Sequence, residues 1–115
     1  MRALTIMCAV VATLSPAASW AEGAIAASRN GRVGISYNYG SQREANDRAM
    51  DECGGTCRIV ERFSNLCGAV ASGRDGGYGF ATRSRLGAAE NAAIANCQSE
   101  GNRGCSIRAR GCDDR

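Results

Sequence analysis

Seven cysteines, 14 arginines and 11 carboxylates, with no histidine and no lysine, bound the chemistry open to this 115-residue chain. Without imidazole there is no Ser-His-Asp or Cys-His nucleophile, no histidine general base, and no histidine-containing zinc or iron site. Without lysine, Schiff-base catalysis and P-loop phosphate binding fall away too. Carboxylates, guanidiniums and thiols remain.

A carboxylate pair can hydrolyse a glycosidic bond without histidine. Glu61 is the candidate, because its alternation with Ile59 and Phe63 predicts an inward side chain. Its partner would be Glu44, Asp47, Glu52 or Asp75, and spacing selects none of them. An ion pair with a neighbouring arginine is the favoured fate of Glu61, which leaves no catalytic residue assigned.

The arginines offer a different chemistry. Arg58 and Arg62 fall on one expected strand, Arg108 and Arg110 on another, and Arg29, Arg32 and Arg74 flank two turns. Together they form a candidate anion or partner surface, since guanidinium binds carboxylate or phosphate bidentately. The plainer reading is a solvated strand edge whose charge discourages aggregation.

Cys8 lies in an apolar N-terminal run, which leaves Cys53, Cys57, Cys67, Cys97, Cys105 and Cys112. Cys53-Gly-Gly-Thr-Cys57 has one residue too many for a thioredoxin-type redox pair. A four-cysteine zinc site would strand two thiols in an oxidising compartment. An even count in a small exported chain points instead to three disulfides, and no metal or cofactor is expected. Gly77-Tyr78-Gly79-Phe80 echoes the aromatic strand of RNA-binding domains, but Gly76 precedes it and Arg83 follows where an aromatic belongs. Packing within a repeated hairpin explains it better.

Export is read from the N-terminus. Met1-Arg2, the apolar stretch 3–14 and Ser19-Trp20-Ala21 have the layout of a signal peptide over residues 1–21, with cleavage after Ala21 or, second, after Ser19. Residues 22–115 then carry 13 arginines against 11 acidic residues, a net charge of +2. That gives no strong pull towards nucleic acid, and no second apolar run is long enough for a membrane span.

The elements that hold these side chains come from a duplication. Residues 23–36, GAIAASRNGRVGIS, align without gaps on residues 68–81, GAVASGRDGGYGFA. Asn30-Gly31 and Asp75-Gly76 predict two-residue type I′ hairpin turns, pairing Ile25 with Ser36 and Ala71 with Phe80. One face then stacks large residues over small ones as the core. The other is Gly/Ala/Ser-rich, with Ile25 and Val70 as exceptions, and leaves room for close backbone approach. A helix follows each hairpin. Ser41 to Glu44 forms a capping box, Ser84 is the second cap, and Ala45, Ala49, Cys53 and Ala89, Ala93, Ile94, Cys97 make the buried stripes. Glycines at 54–55 and 101–104 end the helices, and strands over 58–63 and 106–110 close each unit.

The expected fold is α+β: two pseudo-symmetric ββαβ repeats, 23–67 and 68–112, in one disulfide-stapled domain over 22–115. The symmetric pairing is Cys53–Cys57 and Cys97–Cys105 within repeats and Cys67–Cys112 between them, one of 15 that the sequence allows.

The GAIA and GAVA starts, the Asn-Gly hairpin, the Ser-Tyr-Asn-Tyr ending at Tyr39 and the ordered cysteines together resemble the bacterial exported family known as domain of unknown function 4189. Gly111 departs from the repeat, since copy one has bulkier residues there. The resemblance implies export and brings no catalytic residue. Two functions of different kinds follow as expectations. The favoured one is a periplasmic or secreted, monomeric module that binds another protein, as an inhibitor, immunity-type protein or host-directed effector. The alternative is a small hydrolase using a carboxylate pair.

Overall fold

Each Gly-Ala-aliphatic-Ala run becomes the middle strand of a three-stranded antiparallel sheet. The computed structural model describes residues 21–113, so the expected signal peptide lies outside the described residues except for Ala21. The first half is β1 (Glu22–Ala27), β2 (Val33–Tyr39), α1 (Gln42–Cys53) and β3 (Arg58–Ser64). The second half repeats it as β4 (Cys67–Ser72), β5 (Tyr78–Arg83), α2 (Leu86–Ser99) and β6 (Ser106–Cys112). Strand orders are β2-β1-β3 and β5-β4-β6. The fold is the expected α+β duplication of ββαβ units.

Alternation in β1 and β4 divides the core into layers. Ala24 and Ala26 pack with Ala45, Ala49 and Cys53 of α1, as Ala69 and Ala71 pack with Ala89, Ala93 and Cys97 of α2. Ile25, Phe63 and Val70 form a third cluster between the sheets, joined by Ile35 and Phe80. From outside to outside the layers run helix, sheet, sheet, helix. The small face admits the helix backbones: a Cβ on Gly34 would lie 2.3 Å from the Ala49 carbonyl oxygen, and one on Gly79 2.2 Å from the Cys97 nitrogen. The large face joins the halves.

The hairpins differ from the expected type. The Ser28 N–H donates to the Arg32 carbonyl at 3.0 Å, closing a three-residue loop in which Gly31, with φ +88°, takes the left-handed position. Gly73, Gly77 and Gly76 (φ +89°) repeat this in the second half. Asn30 and Asp75 keep negative φ, so neither turn is type I′. The extra loop residue moves the register by one, and Ile25 pairs with Ile35, Val70 with Phe80. Ile25 and Val70 therefore belong to the large face and are not exceptions on the small one.

At the start of α1 the Glu44 N–H donates to Ser41 Oγ at 3.1 Å, as the capping box predicts. In α2 the cap position is Arg85 and no side chain caps it, so Ser84 falls one residue short of that role. Gly54, Gly55, Gly101 and Gly104 all have positive φ where the helices end.

The disulfides are Cys53–Cys57, Cys97–Cys105 and Cys67–Cys112. The last does not cross between halves. Cys67 opens β4 and lies opposite Cys112 of β6, its neighbour in the same sheet. In the first sheet the matching ladder position is Glu22 opposite Ser64, where the Ser64 hydroxyl donates to the Glu22 carboxylate at 2.9 Å. The halves thus meet at Asn65-Leu66, and Cys67 belongs to the second. The repeat match starts at Gly68, one residue inside its strand.

Candidate functional site

β2 of the first sheet lies against β6 of the second, and beside that junction α1 completes a groove of about 710 Å³. Arg108 and Arg110 come from β6, Tyr37 and Tyr39 from β2, and Arg48 and Glu52 from successive turns of α1. Arg48 pairs with Glu52 at 3.0 Å, and Arg110 pairs with Glu90 of α2. Arg108 makes no ion pair among the described residues.

Tyr37 is held open by its backbone. The β1–β2 register shifts between Glu22 and Ala24, so Tyr37 sits in a bulge, a device that re-aims side chains. The next residue, Asn38, has φ +65°, a conformation asparagine tolerates better than most. Its N–H donates to the Asp113 carboxylate at 2.6 Å, and the Asp113 N–H donates to the Leu66 carbonyl at 2.8 Å. Asp113 is 4% exposed. The Tyr37 ring then lies on Gly111, where a Cβ would come within 2.1 Å of it, yet the residue keeps 43% exposure. Gly111 interrupts the repeat because the other half's tyrosine occupies the space a side chain would need.

This layered arrangement, with its cysteine ladder, can be set against known proteins. Residues 22–112 match the family model described as Domain of unknown function (DUF4189). The chain belongs to this family. A solved structure, "NMR structure of Rv1813c from Mycobacterium tuberculosis", is similar at 30% identity and a TM-score of 0.62. The similarity covers 93% of this chain and 87% of that one. Among curated proteins none matches.

In this DUF4189 chain the four arginines singled out by sequence do not form one patch. Among the described grooves, Arg108 and Arg110 share one. Arg58 lines a smaller hollow with Arg29 and Tyr78, and Arg62 lies with Glu61 on the edge of β3. Of the turn arginines, Arg32 donates to the Gly54 carbonyl at 3.1 Å and braces the end of α1.

The carboxylates are also dispersed. Glu61 points between the sheets opposite Ile25, but it is half-buried and accepts from the Thr82 hydroxyl at 3.5 Å. A bulge at Val60 puts Ile59 on the helix side, so the simple alternation through Ile59 fails there. None of the described grooves holds two of Glu44, Asp47, Glu52, Glu61 and Asp75. Asp75 lines a groove of about 730 Å³ with Glu100, which spacing did not suggest. Both are exposed, without the apolar enclosure a general acid uses in glycoside hydrolysis. Sequence reasoning also missed Tyr37, Tyr39, Arg48 and Asp113. Only Tyr37 and Tyr39 left a trace, as two aromatics at the end of the strand that follows the Asn-Gly turn.

Proposed function

We propose that this DUF4189 protein is an exported, monomeric interaction module, without enzymatic activity, that engages another protein through the groove between β2, β6 and α1. The observation that carries this reading is the open Tyr37 beside Arg108 and Arg110. Tyrosine and arginine, with tryptophan, are the residues enriched at protein–protein contacts that dominate binding energy. The scaffold suits the role, because three disulfides and a shared core hold the groove walls rigid and lower the ordering cost of binding. Disulfides fit a periplasmic or secreted location, and among the described residues no helix is long and apolar enough to cross a membrane.

Export and binding are tested together. Protein recovered from periplasm or culture supernatant should lack residues 1–19 or 1–21 by intact mass and be six hydrogens lighter than its reduced form. Used as bait on the same extracts, it should retain a partner that the Tyr37→Ala chain releases. Free thiols, or a bound protein indifferent to Tyr37, would contradict the proposal.

A further inference from the structure

Two strand edges stay open beside the groove, since among the described residues β2 pairs only with β1 and β6 only with β4. Residues 35–37 of β2 and 107–110 of β6 line it consecutively. Each run carries a bulge, at Tyr37 in β2 and at Arg108 in β6, which re-aims side chains into the groove, while the strand order leaves the outer backbone edge of both strands unpaired among the described residues. Backbone donors and acceptors are therefore on offer there, alongside the guanidiniums.

The charge on this wall decides what can be added. Among the described residues Glu52 is the one carboxylate lining the groove, against Arg48, Arg108 and Arg110. Arg48 and Arg110 already have carboxylate partners, which leaves Arg108 to act on an incoming anion. Resting on the interaction-module reading above, we infer that the groove takes an acidic segment of a partner protein. The segment lies extended along the open edge of β6, with a carboxylate on Arg108 and the paired Arg110 adding positive charge beside it. β-Strand addition gives affinity through the main chain and leaves selectivity to side chains. The arginines provide that selectivity. A second copy of β6 would set arginine against arginine and be repelled, whereas an acidic strand reverses the sign. A nucleic-acid strand would bring a phosphate at every nucleotide. With a net charge of +2 after export and two of the three groove cations already paired, the chain offers no basic field to match it.

The test is an amide-shift titration of the isotope-labelled, fully oxidised protein. The probes are a hexapeptide of alternating valine and glutamate, its valine/glutamine counterpart, and a single-stranded oligonucleotide of matched charge. The acidic peptide should move the amides of residues 35–37 and 107–110 and bind more weakly as salt rises. Arg108→Ala with Arg110→Ala should weaken it by roughly tenfold or more, the scale of losing charge-assisted hydrogen bonds. Arg62→Ala with Arg83→Ala, which removes the same charge elsewhere, should leave it unchanged. Should the double variant lose its dispersed spectrum, Arg108→Gln alone carries the comparison. No binding of the acidic peptide, shifts confined to other strands, equal binding of the glutamine peptide, or equal binding of the oligonucleotide would overturn the inference. A partner that still depends on Tyr37 for capture would survive any of these, so the two readings fail separately.

Discussion

Gly31 and Gly76 are the residues on which the two hairpins turn, and they meet each other. Each has a φ near +90°, and a Cβ on Gly31 would lie 3.5 Å from the Gly76 Cα. A Cβ on Gly76 would also come within 3.0 Å of the Arg29 carbonyl oxygen. Gly31→Val and Gly76→Val should each cost about 1–3 kcal/mol through backbone strain. Gly76→Val should sit at the upper end, because it adds a clash. Thermal melts check this, and melts equal to the parent would show that the left-handed glycine is dispensable. At this scale the sequence named the right glycines but the wrong turn. Asn-Gly and Asp-Gly suit a type I′ turn and equally a type I turn with a left-handed glycine, and nothing local separates the two. Asp113 was illegible for another reason, since its partner is a backbone N–H 75 positions away.

At the scale of elements, each half carries its own staples. The Cys53–Cys57 and Cys97–Cys105 bonds tie each helix end to the loop leading into the closing strand, and Cys67–Cys112 ties β6 to β4. On the chain-entropy model the last closes a loop of about 46 residues and contributes roughly 4 kcal/mol, against about 2 for Cys53–Cys57. Cys67→Ser with Cys112→Ser should therefore lower stability by several kcal/mol. It should raise amide exchange first in β6, while β1 to β3 stay protected. Uniform loss of protection in both sheets would instead mean that β6 cannot open without the shared core opening with it. The pairing was legible from symmetry and the count of cysteines. Its place within one sheet was not, because the repeat match begins at Gly68 and Cys67 is invisible as a strand residue. Helix faces were read well, since an alanine stripe at four-residue spacing has few other uses. The groove was not, since its walls come from three elements of two halves.

For the whole molecule, the account rests on two halves completing one core between two sheets. Gly23 and Gly68 open the repeats because both lie under the Phe63 ring, 2.6 Å and 3.1 Å from where a Cβ would stand. Ile25 and Val70 then fill the same layer from the two middle strands. A chain cut at Asn65-Leu66 would leave the first half with Ile25, Val33, Ile35, Val60 and Phe63 bare on one face. At about 45 residues, such a unit is close to the size below which a core needs help. The cut separates no disulfide, because Cys53–Cys57 stays within the first piece. The most direct measurement is accordingly the amide spectrum of oxidised residues 21–65 alone. The account predicts narrow dispersion without fixed tertiary structure, and a well-dispersed spectrum would contradict it by showing that the half needs no second sheet.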